Sequence, residues 1–117
     1  MKIKNVYVDF DATICPNRQT GKEYALVPPT EACVRFLKKV REDGHKIHIF
    51  SVRSNTNIST LYNGHHDMIE YLKKYNIPFD DVHLTKPKYS VIIDDKCLGI
   101  PLDHQGNVDW NKLPEGV

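Results

Sequence analysis

Val6-Tyr-Val-Asp-Phe-Asp-Ala-Thr13 is the stretch whose reading decides the fold. Val6, Tyr7 and Val8 are β-branched or aromatic and predict a buried strand over roughly residues 3–9. That strand delivers Asp9 and Asp11, with Thr13 two residues further on. In open α/β sheets the carboxyl ends of the strands face the crevice where ligands bind. Two acids so close repel one another and are costly to desolvate unless a cation or a proton compensates them. The pattern asks for a metal, a proton transfer, or both.

Working outward, residues 14–29 read as a loop or short hairpin, and Pro28-Pro29-Thr30 announces a helix with Thr30 as its cap and Glu31 placed for the dipole. Cys33, Val34, Phe36, Leu37 and Val40 form its apolar stripe, and Gly44 ends it. A second strand, Lys46–Phe50, runs into Ser51-Val52-Arg53-Ser54. After the polar loop Asn55–Gly64, a second helix is expected over about 65–75 with Met68, Ile69 and Leu72 inward, stopped by Asn76 and Pro78. A short strand near Val82–Thr85 leads to Lys86-Pro87-Lys88, and a further strand, Ser90–Ile93, ends in Asp94-Asp95. The tail from Lys96 carries a Gln105-Gly106-Asn107 turn and Trp110, read as a core plug.

Strands alternating with helices at this spacing indicate βαβ units and a parallel sheet, and right-handed crossovers set all the carboxyl ends on one edge. The expected fold is α/β: a single Rossmann-like three-layer sandwich with a mainly parallel sheet and no cap domain. The one edge would then gather Asp9, Asp11, Ser51, Lys86, Asp94 and Asp95.

Composition narrows the function classes. The chain has 117 residues, enough for one domain, and is 40% hydrophobic and 26% charged with a net charge of +1. No overall field argues for nucleic acid or an acidic membrane, and the helix charges Lys38-Lys39-Arg41 and Lys73-Lys74 read as solvated faces. No run approaches the apolar length of a membrane span. Cys15, Cys33 and Cys97 are odd in number and share no ligand spacing, so they read as free thiols in a cytoplasmic setting, with Cys15 and Cys97 as packing residues. His65-His66 reads as a helix-start surface, and His45, His48, His83 and His104 as scattered structural or exposed residues.

Asp9-Phe-Asp-Ala-Thr13 after strand one, Ser51-x-Arg53 after strand two, then Lys86, then Asp94-Asp95, resembles in order and placement the motifs of the haloacid dehalogenase-like superfamily. The resemblance covers about residues 1–98, and the stretch Asp94–Pro101 looks like that of small capless members. It departs at Ala12, where the family usually has glycine; alanine serves there only if the backbone avoids positive φ. The resemblance implies a Mg²⁺-dependent phosphomonoesterase in which Asp9 is the nucleophile, Asp11 the general acid and base, and Lys86 the neutralising cation. Thr13, Ser51, Val52 and Arg53 would hold the phosphoryl group, and Asp9, Asp11 through its carbonyl, Asp94 and Asp95 would hold Mg²⁺.

Residues 14–29 are too few for a cap domain, and residues 54–85 are consumed in completing the fold. An open site admits large phosphorylated substrates, a small molecule or a macromolecular end, or relies on another subunit for closure; loops 14–29 and 54–64 are candidates for a partial lid. Two rivals stand beside the enzyme. One is a catalytically silent phosphate- and metal-binding regulatory module of the same fold. The other is a phosphoacceptor receiver domain, whose acidic pair lies on strand one with a lone aspartate after a middle strand, an order this chain does not follow.

Overall fold

The computed structural model describes residues 3–16, 27–51, 64–83, 94 and 96–112. Strand β1 (Asn5–Val8) pairs in parallel with β2 (Lys46–Ile49), and β2 with β3 (Asp81–Val82), in the order β1-β2-β3. Helix α1 (Glu31–Glu42) connects the first pair and α2 (Gly64–Lys74) the second. This is the expected α/β, Rossmann-like arrangement with an open parallel sheet.

Helix α1 starts where the sequence says it should. Thr30 adopts an extended conformation and its hydroxyl accepts from the Cys33 N–H at 3.2 Å, satisfying one of the amides a helix start leaves unpaired. Cys33, Leu37 and Val40 are buried, with Val34 and Phe36 packed partly against them. Past the last turn, Gly44 takes φ +88°, a left-handed conformation that costs glycine nothing. Helix α2 buries Met68, Tyr71 and Leu72, with Ile69 half-buried, and Asn76 at φ +55° turns the chain out of it.

The register sorts the sheet into two faces. Val6, Val8, Ile47, Ile49 and Val82 fall on one side and join the core with the buried stripes of both helices. Asn5, Tyr7, His48 and Asp81 alternate onto the other side, where Tyr7 is 56% exposed. Among the described residues, then, the sheet and the helical layer on one of its faces are built. Asp80 binds these layers together: one carboxylate oxygen accepts from Ile47 N–H at 2.8 Å and from Arg41 of α1 at 2.7 Å.

Element boundaries shift by small steps. The first strand is shorter than 3–9, the second stops at Ile49, the second helix begins at Gly64, and β3 begins at Asp81. The strand expected at Ser90–Ile93, and most of both loops expected to form a lid, lie outside the described residues. In the tail, Gly106 at φ +82° makes the expected turn, closed by Asp103 N–H to the Asn107 carbonyl at 2.8 Å. Trp110 opens a 3-10 turn (Trp110–Lys112) and packs on Phe36 of α1 with ring centroids 5.3 Å apart.

Candidate functional site

The site is built where β1 and β2 end. Val8 and Ile49 form the last register pair, and the ladder continues one step as Phe50 N–H donates to the Val8 carbonyl at 3.0 Å. Asp9 and Ser51 therefore leave the same edge from neighbouring strands, which lie about 4.8 Å apart in parallel sheets. Ser51 is 1% exposed, and Asp9 is half-buried.

Beyond Asp9 the chain closes a tight turn. The Phe10 carbonyl accepts from the amides of Thr13 (3.3 Å), Ile14 (2.9 Å) and Cys15 (2.9 Å), while Ala12 N–H donates to the Cys15 carbonyl at 2.9 Å. Phe10, Ile14 and Cys15 are thereby sunk into the core, leaving Asp9, Asp11 and Thr13 half-exposed. The turn requires Ala12 at φ +63°. The condition on which alanine replaces glycine without strain is not met: the backbone is left-handed there, and the alanine bears the cost.

The tail clamps this turn, a contact without a signal in the sequence. Val108 N–H donates to the Ala12 carbonyl and Trp110 Nε1 to the Thr13 carbonyl, each at 2.8 Å. Trp110 is thus a plug, as expected, and also a strut beneath the acidic loop.

Of the other expected site residues, Asp94 is exposed and its Oδ1 accepts from Lys96 N–H at 2.8 Å. Val52, Arg53, Lys86 and Asp95 lie outside the described residues. Asp9, Asp11 and Asp94 are not gathered into a cluster of three side-chain ligands among the described residues. A set in which Asp11 offers its carbonyl does not need one.

The cysteines divide. Cys15 is buried, with Sγ directed at the Pro16 and Val27 carbonyls at 3.8 and 3.6 Å. Burial pushes the Cys33 thiol up to about 12, which makes it inert. Cys97 is exposed, against the expectation that it packs. Tyr71, held far above the usual phenol range by burial and then by Cys15 beside it, stays neutral and donates to the Val27 carbonyl. His45 is a satisfied core histidine whose Nδ1 accepts from Lys4 N–H at 3.1 Å.

His48 and His83 are not scattered. Parallel register sets His48 beside Asp81, and His83, whose N–H donates to the Ile49 carbonyl at 2.9 Å, falls next to both on the face away from the helices. The signal was present in the alternation: His48 lies between the inward Ile47 and Ile49, and His83 follows the inward Val82.

The fold has a solved counterpart. The chain is similar to the crystal structure of a target protein from Vibrio cholerae, with a TM-score of 0.63 and 25% identity over 82% of this chain and 83% of that one. That likeness supports the single Rossmann-like domain; the neighbour's name states no activity. No family model matches the chain, and no curated protein matches it. No helix among the described residues is long and apolar enough to cross a membrane.

Proposed function

We propose that this chain is a Mg²⁺-dependent phosphohydrolase of the haloacid dehalogenase-like type, capless and working through an aspartyl-phosphate on Asp9. The observation that carries the reading is the emergence of Asp9 and buried Ser51 from the same edge of two hydrogen-bonded parallel strands. The left-handed turn at Ala12, the position where that family usually has glycine, supports it independently.

The donors available for a cation are hard. Asp9, the Asp11 carbonyl, Asp94 and Asp95 offer oxygens alone, while the neighbouring thiol of Cys15 is buried and turned to main-chain carbonyls. That set suits Mg²⁺. When bound, the ion would offset the repulsion between the acids and an incoming phosphate dianion.

In the proposed reaction an Asp9 carboxylate oxygen bonds to phosphorus as the bond to the leaving oxygen breaks, and Asp11 gives its proton to that oxygen. Water then attacks the phosphorus, Asp11 takes the water's proton, and the Asp9–phosphorus bond breaks to release phosphate. Acid–base assistance of this kind contributes about 10²–10⁴-fold. Ser51 would donate to a phosphoryl oxygen, and Lys86 would neutralise charge on Asp9 and the transferring group. Substrates are phosphate monoesters, from small molecules to macromolecular ends. A cytoplasmic setting is part of the proposal, supported by three cysteines none of which is held in a disulfide.

The test is turnover of a panel of phosphate monoesters with Mg²⁺ and with a chelator, for wild type and Asp9→Asn. The expected result is Mg²⁺-dependent hydrolysis in the wild type that Asp9→Asn abolishes. Equal turnover in Asp9→Asn overturns the nucleophile assignment. Binding of vanadate or beryllofluoride with no turnover at all would make the chain a phosphate-binding module instead.

A further inference from the structure

We propose that His48, Asp81 and His83 form a binding site for a late first-row divalent cation, best suited to Zn²⁺, on the sheet face opposite the helices. This site is independent of the phosphohydrolase reading and shares no residue with it.

The geometry is that of a ligand set drawn together before the ion arrives. His83 Nε2 lies 3.4 Å from His48 Nδ1 and 3.7 Å from Asp81 Oδ2, and the three ligand atoms lie within 4.8 Å of one another. Zinc bonds of about 2.0–2.1 Å in a tetrahedron set neighbouring ligand atoms about 3.3–3.4 Å apart. Two edges of that tetrahedron are therefore nearly at length, and Asp81, whose side chain is 59% exposed, has room to close the third. Two imidazoles and one carboxylate form a donor set typical of zinc, which leaves the fourth position to water.

The surroundings prepare the ligands. Asn5 Oδ1 lies 3.0 Å from His48 Nε2, and an amide oxygen can only accept, so it selects the tautomer with its proton on Nε2. The lone pair of His48 is thereby left on Nδ1, the nitrogen that faces His83. Such outer hydrogen bonds are what orients metal-binding histidines. Tyr7 stacks on the His48 ring at 4.6 Å and 11° and lies 5.2 Å from the His83 ring, walling one side. All three ligands stand on or directly beyond the strands β2 and β3, joined by the His48–Asp81 register and the His83 N–H to Ile49 carbonyl bond. Scaffold strands hold ligands more closely than loops do. Without an ion, the same atoms make a His83-to-His48 hydrogen bond and, when His83 is protonated, an ion pair with Asp81; the experiment decides between these two uses.

The full chain would be titrated with Co²⁺, whose visible absorption reports four-coordinate geometry, and then with Zn²⁺ as displacer. The expected result is one equivalent bound, released by stoichiometric Zn²⁺, with affinity reduced at least about 100-fold in His48→Gln and His83→Gln. Asn5→Ala, which removes only the orienting acceptor, should weaken binding about 10-fold. Asp9→Asn and His66→Gln should leave the band in place. A band unchanged in both His48→Gln and His83→Gln overturns the proposal, as does the absence of binding at millimolar Co²⁺. Should the variants fail to fold, anomalous scattering at the zinc edge from Zn²⁺-soaked wild-type crystals decides. A peak between His48, His83 and Asp81 supports the site; a peak only elsewhere, or none, overturns it.

Discussion

Replacing Ala12 by glycine should stabilise this protein although it removes a methyl group. Ala12 sits at φ +63°, and its backbone is pinned on both sides, N–H to the Cys15 carbonyl at 2.9 Å and carbonyl to Val108 N–H at 2.8 Å. It cannot rotate out of the left-handed region without breaking the turn or its link to the tail. An L-residue there costs about 1–2 kcal/mol. Glycine relieves that cost but gives the unfolded chain more freedom, which returns about 0.4–1 kcal/mol. The net gain is about 0.8 kcal/mol at the centre of these ranges, or roughly 3 °C in Tm for a domain of this size. Urea denaturation of wild type and Ala12→Gly checks it, with the midpoint expected to rise at constant slope. Ala12→Val, which adds a branch at Cβ in a conformation β-branched residues avoid, should fall well below wild type. If Ala12→Gly is no more stable than wild type and Ala12→Val no less, the turn is not left-handed at this position and the reasoning fails.

Three further outcomes follow from single contacts. Thr30→Ala removes the cap on Cys33 N–H and should cost about 1 kcal/mol in the same denaturation assay, with Thr30→Ser close to wild type. Trp110→Phe keeps an aromatic ring against Phe36 but leaves the Thr13 carbonyl without its indole donor, at a cost of about 1–2 kcal/mol. Of the three thiols, exposed Cys97 should react with Ellman's reagent at once at pH 8, whereas Cys15 and Cys33 wait for unfolding. With Cys33 pushed up to about 12, roughly one part in 10⁴ of it is thiolate at that pH; fast labelling of more than one thiol contradicts the burial.

What the sequence made legible is what local physics decides. Thr30 before an apolar stripe at 33, 37 and 40 marks a helix start whatever surrounds it, and Ile47 and Ile49 flanking a polar His48 mark a strand with one face inward. The delivery of Asp9 and Ser51 to strand ends was readable for the same reason. What stayed hidden depends on register and on main-chain partners. Which residue of β3 stands beside His48 is fixed only when β2 and β3 pair, across a helix and two connections. The clamp on the acidic turn uses carbonyls at Ala12 and Thr13, which every residue possesses, so no side-chain pattern could announce it. Cys97 misled because standing beside two acids of a motif says nothing about exposure.

The two proposed sites use the parallel sheet in different ways, and this makes them separable. Asp9 and Ser51 stand at the carboxyl edge, where the strands stop and offer oxygen donors and main-chain amides. His48, Asp81 and His83 are offered by the alternation of side chains across one face, at or beside the last turns of the ladder. Mg²⁺ dehydrates reluctantly and seeks oxygen, while imidazole suits Zn²⁺. A zinc-selective chelator should therefore empty the histidine site at millimolar Mg²⁺ without slowing Mg²⁺-dependent turnover, and His83→Gln should turn over substrate as wild type does. If stripping zinc instead abolishes turnover while Mg²⁺ is saturating, the two sites are coupled, and the division of the sheet into an edge that reacts and a face that binds is wrong.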